Sequence, residues 1–317
     1  MLPADRKFRD TFSRFDRARL ERRKAFARRV AVRVCAGLIA LFFVSAVNNL
    51  FINPKPTVRI PLSSAEAFEI PAKTLLQLQA IAQAQGADFP EMLTVYSFEN
   101  DFFPAHATMP TADELEQVFA ANYSDIKNKY PKSAINQYYR ILGPIIGEMQ
   151  FFPIPAHFDD DAEDSFMYGD SWRAVGELKR EIPGTDIYDR EDTPGRVPVV
   201  SVCAGVVKEK KWDDTYGYMI KITAAGGDAY TYSHLNDFNS APDIGKPVAA
   251  GQPLGTMGNT GLGKEGTKGN MRTHLHFSIQ PAANKAGVAV INPYPFLRLC
   301  ENRRSNYAAN GVDTSKS

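Results

Sequence analysis

The sequence predicts an α+β protein in three parts: an apolar helix behind a basic arm, a small helical domain, and a mainly antiparallel β domain. Three observations carry this expectation. Residues 34–54 contain no charged side chain. Between about 60 and 150, apolar residues recur near the helical period. From about Asp170, short β-branched and aromatic runs alternate with Gly and Asp turns.

The N-terminal part is justified by charge. Residues 1–33 hold twelve Lys or Arg against four Asp or Glu, a balance of +8, which leaves −7 on the remaining 284 residues of this 317-residue chain. Residues 34–54, centred on Leu38-Ile39-Ala40-Leu41-Phe42-Phe43-Val44, have about the 20-residue length a helix needs to cross a bilayer. Arg33 can snorkel to the interface. The positive flank predicts a single-pass cell-membrane anchor with a cytoplasmic N-terminus and the bulk of the chain outside. A cleaved signal peptide would have a shorter charged start, and a core helix would show an apolar stripe, whereas these residues are apolar on every face. A basic arm can also signal nucleic acid, but anchoring accounts for it, so no nucleic-acid partner is expected.

The helical domain, residues 60–150, follows. Ala72 to Gln85 places Leu75, Leu76, Leu78, Ile81 and Ala82 near a 3.6 period, and Gly86 ends the run. Asp88-Phe89-Pro90-Glu91 opens another helix with Met92, Leu93, Val95, Tyr96 and Phe98 as its apolar set. Thr111-Ala112-Asp113-Glu114 is a capping box. Ser133 to Leu142 reads as a helix stopping at Gly143-Pro144, and Phe151 to Pro155 as an aromatic linker docking this domain on the next. Glu99, closing its helix, invites comparison with the acid of a muramidase. No second carboxylate arrangement supports that, and an exposed helix-end side chain is the expectation.

In the β domain, residues 165–300, Val197–Val202, Met219–Ile222 and Ala229–Tyr232 read as strands of an antiparallel sandwich or half-barrel. Asp213–Gly217 and Ala225–Asp228 read as hairpin turns. Residues 259–273 form a loop rich in Gly, Lys and Thr without the spacing of a phosphate-binding loop, expected as a flexible groove wall. Lys264 and Lys268 on it face solvent or meet peptide carboxylates. Of three cysteines, Cys35 lies in the apolar span, Cys203 reads as buried and Cys300 is near the end; no cysteine zinc signature occurs. Residues 301–317 read as a polar, disordered tail.

Chemistry concentrates on three of the five histidines. Thr273-His274-Leu275-His276-Phe277 puts two imidazoles at i and i+2, on one face of a strand. His234 sits in a second strand-like run, Tyr230–Leu235. Such a grouping points to metal binding or proton transfer, or to hydrogen-bonded histidines with neither role.

The ordered set of Tyr168-Gly169-Asp170-Ser171-Trp172, Ile182-Pro183-Gly184-Thr185-Asp186-Ile187, Tyr232-x-His234-Leu235, Gly258-Asn259-Thr260-Gly261 and His274-x-His276 resembles the lysostaphin/LytM-like zinc endopeptidases of bacterial peptidoglycan. The resemblance covers roughly residues 165–295 and implies the duplicated-hybrid-motif type of β domain, with a groove floored by the sheet. It implies that Asp186 and His276 are metal ligands and that His234 and His274 handle protons or the bound water. The family's first ligand is a histidine four residues before the aspartate; here that position is Ile182, which has no lone pair. A catalytic zinc takes three protein ligands and leaves a fourth position for water. The zinc ion is therefore expected to be held weakly or lost, unless Glu177, Glu181 or another histidine substitutes. The expected function is a membrane-anchored, extracytoplasmic cell-wall protein that binds peptidoglycan, or a protein partner in an envelope assembly, rather than cleaving. The alternative is an active zinc endopeptidase with a substitute third ligand.

Overall fold

In the computed structural model, residues 62–103, 110–156, 158, 165–174, 183–282 and 289–306 are described, with scattered positions between 21 and 41. Those scattered positions are helical, and Val34, Leu38, Ile39 and Leu41 among them are exposed. Among the described residues no helix is long and apolar enough to cross a membrane; most of the segment 34–54 lies outside them. Residues Thr57–Ser317 make up a second unit of their own.

The helices of that unit are α1 (Leu62–Ala67), α2 (Ala72–Gln85), α3 (Phe89–Glu99), α4 (Ala112–Glu114), α5 (Tyr123–Lys129) and α6 (Lys132–Glu148). Gly86 caps α2 at φ 62°, the left-handed conformation that costs glycine least. Asp88 caps α3 by accepting the Glu91 N–H, and Thr111 and Glu114 form the expected capping box. A π turn and a 3-10 turn, Leu115–Phe119 and Ala120–Asn122, continue α4 into α5.

Helix α6 does not stop at Gly143-Pro144 but runs through to Glu148. Pro144 forfeits one helical hydrogen bond, a cost of about 3 kcal/mol. Against it stand Ile135, Tyr138, Ile141, Leu142 and Ile145, buried at helical spacing, each stabilising by roughly 1.5–3 kcal/mol. Burial wins.

The β domain is one nine-stranded sheet, ordered β1 (Phe166–Tyr168), β2 (Thr185–Asp189), β9 (His274–Gln280), β6 (Ala229–Asp237), β5 (Gly217–Thr223), β4 (Gly205–Asp213) and β7 (Pro247–Val248). Off this path β3 (Pro198–Val200) pairs β8 (Pro253–Met257), which also pairs β6. The named ladders are all antiparallel, as expected. Leu275, Phe277 and Ile279 alternate onto one face of β9 and are fully buried with Tyr230, Tyr232 and Ile187. That apolar face fixes the register, because a one-residue slip would send every histidine of β9 into the core.

The linker docks as expected. Phe152 and Ile154 are buried, and the Gln150 and Val200 N–H groups donate to Val202 and Pro153 carbonyls. Helix α7 (Tyr294–Cys300) brings Phe296 against Phe68, rings 5.3 Å apart. The tail expected to be disordered from Glu301 is instead paired through Asn306. The Phe152 and Ala156 N–H groups donate to Arg303 and Ser305 carbonyls, and Arg304 donates to the Ile154 and Pro155 carbonyls. Its polar composition hid a backbone pairing with the linker. Residues 307–317 lie outside the described ones.

Candidate active site

Asp186 and His276 are direct cross-strand partners in the β2–β9 ladder, and Tyr188 pairs His274 two residues along. The i, i+2 spacing therefore does put both imidazoles on the face that carries Asp186. His276 Nδ1 lies 2.7 Å from Asp186 Oδ1, and His274 Nε2 lies 3.9 Å from the same oxygen. Gly184 leaves the space: a Cβ there would stand 2.3 Å from His276 Cε1 and 2.9 Å from the Phe277 carbonyl.

His234 reaches this face by a backbone device. From buried Tyr232 on the core side, regular alternation would put His234 in the core too. Its φ is +60°, however, an uncommon value for a residue with a Cβ. The ring stands 4.7 Å from that of His274 and 6.1 Å from that of His276. The strand register shifts nearby, between Leu235 and Asp237.

The proton positions on the two outer histidines follow from their partners. His234 Nδ1 is 2.8 Å from the Thr260 carbonyl, and His274 Nδ1 is 2.7 Å from the Arg272 carbonyl. A carbonyl only accepts, so each Nδ1 carries a hydrogen. Burial, then the neighbouring His274 and His276, push His234 down to about 3, so it is neutral at pH 7. Burial of Asp186 acts to raise its carboxyl, but the His276 hydrogen bond and the three imidazoles outweigh it and hold the group below the usual carboxylate range.

Several residues support this group, Thr260 and Ser171 from the quoted motifs and Tyr188 and Tyr216 from outside any assigned role. Thr260 accepts the Tyr218 N–H at 3.1 Å and donates to the Leu235 carbonyl at 2.7 Å, fixing the carbonyl that holds His234. Tyr188 stacks on His274 at 5.1 Å and Tyr216 on His276 at 5.8 Å. Ser171 accepts the Asp186 N–H at 2.9 Å. Tyr188 was findable, since it lies i+2 from Asp186 on the same face; Tyr216 comes from a distant turn with no local signal. The glycine-rich loop expected to be flexible is tied to that turn: Leu262 and Gly263 donate to Thr215 and Asp214 carbonyls. Lys264 and Lys268 on it are exposed.

The donor set decides what the site can hold. Asp186 and His276 offer one oxygen and one nitrogen. Position 182, with Glu177 and Glu181, lies outside the described residues, and its isoleucine offers nothing. Among the described residues no group of three His, Cys, Asp or Glu side chains is arranged to hold a metal ion. Asp186 and His276 alone leave a three-ligand zinc centre one donor short. What they provide is a half-buried Asp186 carboxylate paired with the buried His276 imidazole, beside the His234 and His274 rings and flanked by Tyr188 and Tyr216.

Comparison with known proteins agrees with this geometry. Residues 180–290 match the model of peptidase family M23. The L-Ala–D-Glu endopeptidase of Bacillus subtilis is 32 % identical over 153 residues, 47 % of this chain and 43 % of that protein. The chain thus spans less than half the length of that curated relative. A crystal structure from Ruminococcus gnavus, described as a glycyl-glycine endopeptidase LytM, is 33 % identical with a TM-score of 0.60, covering 78 % of this chain and 94 % of that one. The catalytic domain of lysostaphin from Staphylococcus simulans is 26 % identical, with a TM-score of 0.33, covering 42 % of this chain and 91 % of that one. With the matched segment running through Asp186, His234, His274 and His276, and a relative one-third identical covered over nearly its whole length, the chain belongs to peptidase family M23.

Proposed function

We propose that this chain is a membrane-anchored, extracytoplasmic cell-wall protein whose M23 groove binds peptidoglycan stem peptides without cleaving them. The observation that carries this reading is the donor set: one carboxylate and one imidazole 2.7 Å apart, with isoleucine in the sequence four residues before the aspartate. Without a metal-bound water, no nucleophile in the groove is activated. Binding asks less of the same residues. The Nε2 lone pair of neutral His234 accepts a peptide N–H group, and Tyr188 and Tyr216 wall the chain. The relatives named as an L-Ala–D-Glu endopeptidase and a glycyl-glycine endopeptidase support peptide as the occupant. The same groove suits an extended segment of a protein partner in an envelope assembly. The anchor rests on the uncharged run 34–54 behind the basic arm.

A second reading, an active zinc endopeptidase with a substitute ligand, is favoured by one observation: His234 and His274 both stand on the face that carries Asp186 and His276. Purified peptidoglycan separates the two. Co-sedimentation of the full chain with the wall, without new free amino groups in the supernatant, is the expected result. Release of amino groups that a chelator abolishes would establish the second reading instead.

A further inference from the structure

The row of side chains on the groove face extends past the histidines. The Asp189 N–H donates to the Thr273 carbonyl at 3.0 Å, so the β2–β9 pairing continues one residue beyond His274. Strand parity then sets Arg272, His274 and His276 on one face, at i, i+2 and i+4. At about 3.4 Å per residue, Arg272 stands roughly 7 Å from His274 along the strand.

Arg272 is exposed, yet its head group is held in place. Nη2 donates to the Asp189 and Arg190 carbonyls at 3.2 and 3.4 Å. The guanidinium carbon lies 5.7 Å from the centre of the Tyr188 ring, and that ring stacks on His274 at 5.1 Å. Tyr188 in turn donates to Asp186 Oδ2 at 3.3 Å, which ties the platform under the arginine to the centre of the site. Ordering a free arginine side chain for a ligand costs entropy. Here two carbonyls and a ring have already ordered it, which favours binding.

This arrangement does not consume the positive charge. Both acceptors are neutral carbonyls, and Nε and Nη1 have no hydrogen-bond partner among the described residues. The acidic residues of the adjoining turn are engaged elsewhere. Asp189 pairs with Arg196, Glu191 stands 3.4 Å from Arg196 Nε, and Asp192 Oδ1 accepts the Thr273 N–H at 2.6 Å. The Thr273 bonds, and after them the Arg272 charge, lower the Asp192 carboxyl without an ion pair forming between the two side chains. The other cation of this turn, Arg190, donates its Nε to the Phe166 carbonyl at 3.1 Å.

We propose that Arg272 is a specificity-determining residue of the groove, recognising a carboxylate on the bound peptide through charge-assisted hydrogen bonds from Nη1 and Nε. The inference rests on the peptide reading above and adds the charge that the peptide must carry. Carboxylates are the anionic groups of a stem peptide, and a guanidinium is the side chain whose planar donors match them. A peptide lying along the row from His274 presents its carboxylate about two residues further on, by the strand spacing.

The test is calorimetric titration of the full chain, in detergent, with the tripeptide L-Ala-γ-D-Glu-L-Lys and its carboxamides. The wild type should bind the free acid about tenfold or more tighter than the doubly amidated peptide. Arg272→Gln should abolish that preference by weakening the acid alone, with unchanged circular dichroism and Tm. A merely structural arginine would shift both peptides alike. Arg272→Lys should retain part of the preference. Amidating only the glutamyl or only the C-terminal carboxyl identifies which of the two the arginine reads. Equal binding of acid and diamide by the wild type, or a preference that survives Arg272→Gln, would overturn the proposal and leave the peptide reading standing. Binding of neither peptide would remove both.

Discussion

Replacing Asp228 by Asn should stabilise the protein at neutral pH and leave its stability unchanged near pH 4. Asp228 is 1 % exposed at the hairpin before β6; its Oδ1 accepts the Ala282 N–H, and Oδ2 has no partner among the described residues. Glu148, at the end of α6, reaches the same hairpin, accepting the Gly226 N–H at 2.9 Å and the Tyr230 hydroxyl at 3.0 Å. Burial raises the Asp228 carboxyl from 3.8 to about 6; the Ala282 bond opposes this, and the Glu148 charge adds to it. Between those two values the folded state binds more protons than the unfolded one. Stability therefore falls as pH rises through that window and stays lower above it. At 1.36 kcal/mol per unit, the ceiling is about 3 kcal/mol. Partial solvent screening reduces this to roughly 1–2 kcal/mol. Asparagine keeps an acceptor for Ala282 and removes the charge. Thermal unfolding at pH 7.5 should rise by roughly 2–8 °C, at about 2–4 °C per kcal/mol for a unit of this size. A lower Tm at pH 7.5, or an equal gain at pH 4, would refute the reasoning.

Two further substitutions test the groove. Gly184→Ala places a Cβ 2.3 Å from the His276 ring and 2.9 Å from the Phe277 carbonyl; a cost of about 1–3 kcal/mol should appear in chemical denaturation, with shifted His276 ring signals by NMR. Thr260→Val keeps the shape but leaves the Tyr218 N–H without its acceptor. A loss of roughly 1–3 kcal/mol is expected, while the His234 Nδ1–H resonance persists because its acceptor is backbone; loss of that resonance would show that the Thr260 hydroxyl, not the carbonyl alone, holds the ring.

Local chemistry made much of this legible in advance. The Asp88 cap, the Thr111–Glu114 box and the Gly86 stop are all settled within four residues, and they formed as read. His274 and His276 share a face because strand parity is a local property. What stayed hidden depends on distant partners. Helix α6 crosses Pro144 because buried residues on either side outweigh one lost bond. Residues 301–306 are ordered because the linker at 150–156 offers them backbone partners. The left-handed His234 answers to a register shift against β8, and the Asp228–Glu148 pair joins positions eighty residues apart. The structure brings Asp186, His234, His274 and His276 together on one face; Thr260 stood in a quoted motif without a role, while Tyr216 and the Arg272 carbonyl were not singled out, since a carbonyl carries no sequence signature.

The central claim, that this M23 groove lacks the donors for a catalytic zinc, is tested most directly by zinc stoichiometry and affinity of the full chain beside its Ile182→His variant. The account predicts well below one zinc per wild-type chain, with tight one-to-one binding appearing only in Ile182→His. Tight stoichiometric zinc in the wild type would contradict it, and would mean that another side chain completes the site.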